Sequence, residues 1–350
     1  MKKILVIGNF SEDYSRNRVI LEGFKSCGAK VILKNLSSKK FNLIKEIYCT
    51  IKTSKDIDFI YIPFFGHNIV PYVRLFTKKR IYWDAFVSAF LSNVYDRKNS
   101  KFSFVGIRSY LNDFIAAKCA DLISIDTKLH RNYLGQLTKT ANDKFLVIPV
   151  IAAPFNKPIP NNRYRDKIFK IGFYGNYIPI QGVDKIIKAF VKLYSNYPNK
   201  VELNLLGKGE KFNESVNLAE QLNVPINFMK PVNYDDLASF MDQQDVMLCG
   251  HFGDSIKAEY VVANKTLEAL SRHKAIICSD VAANRELLRN GENAVLCERN
   301  IESIYVSLKK IYLEPHLQYK LEKGAENISK TVPSISYYCN NIINFMVGKE

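Results

Sequence analysis

Short unbroken apolar runs recur along the chain and alternate with longer stretches whose apolar positions return at helical spacing. An unbroken run bounded by turn residues reads as a strand buried on both faces. Such strands, separated by amphipathic helices, assemble into parallel doubly wound sheets. In the first half the runs fall at Lys3 to Gly8, Lys30 to Leu33, Phe59 to Pro63, Arg80 to Trp83 and Leu122 to Ile125, with a helix from Ser15 to Cys27 closed by Gly28. The second half repeats the theme at Phe169 to Tyr174, Val201 to Leu206, Asn227 to Met229, Val246 to Cys249, Ala275 to Cys278 and Ala294 to Cys297. Between the halves, the segment Ala152 to Asn162 is rich in Pro and Asn and breaks both periodicities, as an interdomain linker does. The expectation is an α/β protein with domains at residues 1–153 and 168–331, a linker at 154–167, and a terminal segment at 332–350.

A chain of 350 residues with 47% hydrophobic content supplies two ordinary cores. The run Ile4-Leu5-Val6-Ile7 after Met1-Lys2-Lys3 is too short for a signal peptide, and no segment approaches the roughly 18 apolar residues of a membrane span. The seven cysteines are odd in number, widely spaced and without a C-x-x-C pair, which points to reduced thiols in the cytoplasm and away from zinc.

Charge changes this picture. The net +16 is one-sided: residues 1–165 hold 28 Lys and Arg against 12 Asp and Glu, whereas residues 166–350 hold 22 of each. One domain is therefore expected to meet a polyanion, with nucleic acid, anionic lipid and a pyrophosphate-linked substrate all open. A solvated lysine-rich surface is the alternative for individual residues.

The densest chemistry lies between Asp245 and Glu286. A strand ends in a loop holding Gly250, His251, Gly253 and Asp254, and a helix then opens at Asn264 with Lys265 and Glu268 on one face. The first helical turn is electropositive, so a lysine there costs a few tenths of a kcal/mol, at roughly that order, unless an anion sits against it. A phosphate resolves the conflict. Glu268, three residues on, has the two acceptor oxygens that a ribose diol asks for. The competing reading is an ordinary amphipathic helix with a solvated Lys and Glu.

The run Gly250-His251-Phe252-Gly253, Lys257-Ala258, Asn264-Lys265-Thr266-Leu267-Glu268-Ala269-Leu270 and Asn284-Arg285-Glu286-Leu287-Leu288 resembles the donor half of the group 1 (family 4) retaining glycosyltransferases. The resemblance implies the GT-B fold, in which two Rossmann-like domains face a central cleft and a terminal helix, here near Ser334 to Val347, crosses back to the first domain. It also implies that Glu268 binds the donor ribose. The family's first glutamate, eight positions earlier, falls on Tyr260, with Glu259 one residue out of register; the chain is similar to members that carry Asn-Lys-x-x-Glu instead. Tyr174-Gly175-Asn176 through Gln181-Gly182 looks like the family's first donor loop, where Gly175 lets the backbone approach a pyrophosphate. Many members place Arg and Lys where this chain has Asn176 and Gln181, so the leaving-group charge is expected to be met by Lys265, and less directly by Lys257 or Lys208. Gly207-Lys208-Gly209 matches the family's next glycine turn.

In the first half, Arg16 to Gly23 and Trp83 to Ser88 also look familial. His67 is the candidate polar catalytic residue on the loop after the strand that ends at Pro63, with a histidine that fixes its own turn as the alternative. His251 is the counterpart on the donor side, and Asp84 and Ser88 are acceptor-side candidates. Asp56-Ile57-Asp58 has the form of a metal-binding Asp-x-Asp but precedes its strand, so the carboxylates fall at the wrong end of the sheet; no metal site is expected.

Together these imply a glycosyltransferase that moves a sugar with retention from a UDP- or GDP-linked donor to a hydroxyl of a glycan or lipid-linked acceptor, as in bacterial-type surface polysaccharide synthesis. A sugar-nucleotide epimerase of the same fold is the rival. A nucleic-acid-binding protein is a weaker one, for want of any helix-turn-helix, zinc finger or RNP-type motif. Ile69 to Arg80 and Lys101 to Leu111 interleave apolar residues with cations, which points to a peripheral location at the anionic inner face of the plasma membrane, a buried helix face beside a basic turn being the alternative.

Overall fold

The structure is a computed structural model in which residues 1–36, 40–152, 155–160 and 168–348 are described. It divides into two compact units, Met1–Ala153 with Pro333–Glu350, and Pro154–Val332.

The first unit runs β1 (Lys3–Gly8), α1 (Ser15–Ser26), β2 (Lys30–Asn35), α2 (Lys40–Thr53), β3 (Phe59–Ile62), α3 (Val70–Phe76), β4 (Ile81–Phe86), α4 (Phe104–Cys119), β5 (Leu122–Ile125), α5 (Lys128–Thr138) and β6 (Phe145–Val147). The second runs β7 (Phe169–Asn176), α6 (Val183–Asn196), β8 (Val201–Lys208), α7 (Phe212–Gln221), β9 (Asn227–Met229), α8 (Tyr234–Asp242), β10 (Val246–Leu248), α9 (Asn264–Ser271), β11 (Ala275–Ser279), α10 (Ala282–Arg285), β12 (Val295–Cys297), α11 (Ile301–Leu313) and α12 (Pro315–Thr331). The last helix, α13 (Ile335–Val347), belongs to the first unit.

Each unit is built on a parallel six-stranded sheet. The first has the order β2-β1-β3-β4-β5-β6 and the second β12-β11-β10-β7-β8-β9. In such sheets the order of connection reverses at one point, and the crevice outside the carboxyl ends of the two strands there receives ligands. That point lies between β1 and β3 in the first sheet and between β7 and β10 in the second. The loops at Pro63 to His67 and at Gly175 to Gly182 and Cys249 to Gly253 are therefore where polar side chains gain functional meaning.

The central strands of both sheets are buried on both faces, which is why they read as apolar runs, while the edge strands β2 and β9 are half-exposed. In the first unit α1 and α13 cover one face around Phe24, Tyr61 and Tyr82, and α2, α3, α4 and α5 cover the other around Ile62, Val73, Trp83 and Ala116. Gly23 is the point of closest approach of α1 and α13: a Cβ there would lie 2.6 Å from Cys339 Sγ. Among the described residues no helix is long and apolar enough to cross a membrane, and no group of His, Cys, Asp and Glu has the arrangement of a metal site.

The Asp-x-Asp segment is consumed at the start of β3. Asp58 accepts from the Lys3 backbone N–H at 2.7 Å, which together with Lys2 holds its carboxyl below the usual range, and Asp56 pairs with the Lys3 side chain.

Candidate functional site

In the second unit, the carboxyl ends of β7 and β8 meet without side chains between them. A Cβ on Gly207 would lie 2.0 Å from the Gly175 carbonyl oxygen, and Gly175, Gly207 and Gly209 all have φ between 139° and 151°, which L side chains rarely adopt. The loop after β10 docks equally closely on the loop before α6. Gly253 N–H donates to the Ile180 carbonyl at 3.0 Å, and a Cβ on Gly253 would stand 2.0 Å from the Pro179 carbonyl oxygen. Gly182 takes φ 63° to start α6 and packs on the Phe252–Gly253 peptide. Gly250 is pressed on the backbone of Cys278 and Ser279.

Against these backbones stands α9. Lys265 is buried in its first turn, and its Nζ donates to Gln181 Oε1 at 2.9 Å and lies 3.8 Å from the centre of the Phe173 ring. Burial pushes its pKa down to about 7, against smaller upward pulls from Cys249 and Glu268. Gln181 and Lys265 are 84 residues apart, and their contact brings a cation to the loop position where the donor-side lysine of the resembled family is missing. Glu268, also buried, accepts a short hydrogen bond from the Tyr174 hydroxyl. Burial and that carboxylate raise the Tyr174 pKa far above its ordinary value, so the phenol stays a donor. His251 is buried and held neutral, its pKa lowered to about 3 by burial first and then by Lys265 and Lys257.

Gly175, Gly182, Gly207, Gly250, Gly253, His251, Lys265 and Glu268 thus gather at the carboxyl edge of the second sheet, on the ends of β7 and β8, at the start of α6, in the loop after β10 and on α9. Asn176 and Lys208 sit at the exposed tips of β7 and β8, and Lys257 is half-buried in the turn Ile256–Glu259. Glu259 is engaged elsewhere: it pairs with Arg299 at 2.8 Å, while Arg299 also donates to the Gly253 and Ser255 carbonyls and so braces the loop. Tyr174 stood in the sequence only as the start of the donor loop and Arg299 not at all, because nothing local marks an aromatic strand residue or a loop arginine as a partner of α9 or of the β10 loop.

In the first unit Asp84 and Ser88 lie inside the domain rather than on an acceptor surface. Asp84 is fully buried between Arg16, which donates to both its oxygens at 3.0 Å, and Ser124, while Ser88 donates to Asp113 at 2.6 Å. His67 is also mostly buried, with Nε2 2.9 Å from the Val87 carbonyl oxygen and 3.4 Å from Asp113 Oδ1. It holds the turn after β4. His130, missed in the sequence, completes the network: its Nδ1 bonds Asp126 at 2.8 Å and its Nε2 accepts from the Ser88 backbone at 3.3 Å.

Residues 156–328 match the family described as glycosyl transferases group 1. An uncharacterized glycosyltransferase of Methanocaldococcus jannaschii is 25% identical over 286 residues, 76% of this chain and 68% of that protein. Among solved structures, Anabaena HepE in complex with UDP and glucose superposes with a TM-score of 0.76 at 13% identity over all of both chains. Sucrose-phosphate synthase from Thermosynechococcus elongatus does so with 0.78 at 12%, again over both whole chains. WaaG, a glycosyltransferase involved in lipopolysaccharide biosynthesis, gives 0.72 at 14% over 99% of this chain and all of its own.

Proposed function

The chain carries a group 1 glycosyltransferase domain at residues 156–328 and has the GT-B fold, and from that premise we propose that it transfers a sugar, with retention, from a UDP- or GDP-linked donor to a hydroxyl of a glycan or lipid-linked acceptor. The observation that carries the donor assignment is Lys265. A buried ammonium whose hydrogen bond goes to a neutral amide, and whose burial has already lowered its proton affinity, gains most from an arriving diphosphate. The dianion restores the proton to Lys265, and the resulting ion pair stabilises the leaving diphosphate as the glycosidic bond breaks.

Glu268 anchors the ribose through its carboxylate, which Tyr174 orients by donating to one of its oxygens. The backbones at Gly175, Gly182, Gly207 and Gly253 give the phosphates close approach to N–H groups, with Asn176, Lys208, Lys257, Gly250 and His251 around them. His67 acts by positioning the turn that carries Val87 and Ser88, and the acceptor hydroxyl passes its proton to the donor phosphate as it attacks. Work on a lipid-linked or surface glycan places the protein at the cytoplasmic face of a membrane. No step is assigned to a protein-bound metal.

The bound UDP of the HepE complex is the reason to begin with UDP-sugars. The test is calorimetric titration with a panel of UDP- and GDP-sugars against the wild type and Glu268→Gln. Saturable binding that the variant loses by about 2 kcal/mol or more supports the reading. Unchanged binding by the variant removes Glu268 from the site, and no binding to any nucleotide sugar refutes the donor assignment.

A further inference from the structure

Helix α4 is built inside out. Its buried residues are Gly106, Ser109, Asp113, Ala116 and Ala117, all small or polar. Phe104, Ile107, Leu111 and Ile115 are exposed and form one stripe, while Tyr110 and Phe114 are half-buried at its flank. An ordinary surface helix does the reverse. The inner face is polar for a reason: Asp113 accepts from Ser88 Oγ and from the backbone N–H groups of Ala89 and Phe90 at 2.6 to 2.9 Å, and so fixes the turn after β4. Among the described residues nothing covers the outer face. Phe102 and Phe104 are 88% and 78% exposed, beyond what a solvated surface asks of phenylalanine.

The stripe continues across the helices on the same side of the sheet. Ile44 and Tyr48 of α2 and Leu75 of α3 are exposed. A groove of about 500 Å³ between α2, α3 and α4 is lined by Ile44, Tyr72, Arg108, Leu111 and Ile115. A second, of about 610 Å³, joins Tyr48 and Phe76 to Lys52, Lys55, Lys78 and Lys79. From Arg97 to Cys119 the cations are Arg97, Lys98, Lys101, Arg108 and Lys118, and the one acid, Asp113, is buried.

We infer that α2, α3 and α4 form a membrane-docking face, with Phe102, Phe104 and the outer stripe of α4 seated at the acyl boundary of an anionic bilayer and the surrounding Lys and Arg on lipid phosphates. This rests on the reading that the acceptor is presented at a membrane, and it names the side of the domain that meets it. Charge selects the occupant. A second copy would bring a like-charged face, since this unit holds 26 Lys and Arg against 13 Asp and Glu. Anionic headgroups complement the lysines, and apolar side chains of this size partition at the interface. Arg80, by contrast, donates to the Phe345 carbonyl and belongs to the packing of α13.

The test is co-sedimentation of the full chain with vesicles of neutral phosphatidylcholine and of phosphatidylcholine mixed with phosphatidylglycerol, at low and moderate salt. The wild type should bind the anionic vesicles, less so as salt rises. Phe102→Ser/Phe104→Ser should weaken that binding at least tenfold, and Lys52→Ser/Lys55→Ser/Lys78→Ser should remove its salt dependence. Both variants should keep the wild-type circular dichroism and UDP affinity, because every altered side chain lies in the first unit and outside its core. Equal binding by wild type and the Phe102/Phe104 variant overturns the inference, as does binding with no preference for anionic lipid. Dimerisation in solution that the same variant abolishes would assign the face to a second copy and overturn it too. UDP affinity is read separately: vesicle binding without UDP binding sinks the donor reading alone, and the converse sinks only this one.

Discussion

Replacing Lys265 by methionine should move stability and binding in opposite directions. The side chains are of similar length, so the cavity stays filled. A fall in pKa from 10.5 to about 7 means that keeping this lysine buried costs the folded chain on the order of 5 kcal/mol at neutral pH. Loss of the Gln181 hydrogen bond and of the contact with Phe173 gives back about 1 to 2 kcal/mol. Lys265→Met should therefore stabilise the second unit by about 3 to 4 kcal/mol. The sign depends on pH. The unfolded lysine holds its proton up to 10.5 and the folded one only to about 7, so wild-type stability rises with pH across that window, and the variant should lose this slope. UDP affinity should fall by about 2 to 4 kcal/mol, because a buried charge-assisted contact disappears. Thermal unfolding between neutral and alkaline pH, paired with calorimetric titration of UDP, measures both. A variant that is less stable than wild type at neutral pH, or that binds UDP unchanged, would refute the reasoning.

Three further outcomes follow from the same geometry. UDP binding at about pH 8 should take up a proton, seen as a calorimetric enthalpy that tracks the ionisation enthalpy of the buffer, and Lys265→Met should abolish the uptake. Gly175→Ala combines a disallowed φ of 139° with a Cβ 2.9 Å from Lys265 Nζ, so it should destabilise the unit by about 1 to 3 kcal/mol and weaken UDP at least tenfold, as unfolding and titration would report. Asp56→Ala should leave transfer activity and its response to added chelator unchanged, because Asp56 only pairs with Lys3 at the start of β3; activity lost with EDTA, restored by Mn²⁺ and dependent on Asp56 would reverse that assignment.

Both sheets were legible because their central strands are buried and read as unbroken apolar runs. The edge strands β2 and β9 hold no fully buried residue and were read from their apolar content and flanking turns, whereas β6, three residues long with only Phe145 buried, is too short to stand out from a loop. Lys265 and Glu268 were legible from helix electrostatics and motif spacing. Their partners were not, because Gln181 and Tyr174 reach them across 84 and 94 residues through a sheet whose strand order the sequence does not state. Asp84 and Ser88 show the opposite failure. Polar residues at the end of a strand signal a site by their type, yet Arg16, Ser124 and Asp113 absorb them into the interior, and nothing local in the sequence pairs them with those partners. The run Lys101 to Leu111 was legible as apolar residues interleaved with cations, but not that α4 turns its large apolar residues outward, because burial is set by Asp113 and the small residues of its inner face.

The central claim is that the carboxyl edge of the second sheet is the nucleotide-sugar site, and hydrogen–deuterium exchange with and without saturating UDP tests it most directly. The account predicts slowed exchange in the segments around Gly175 to Gly182, Gly207 to Gly209, Gly250 to Gly253 and Asn264 to Glu268, with α12 of the same unit unaffected. Protection confined to other segments, or none at a UDP concentration that saturates binding, would contradict it.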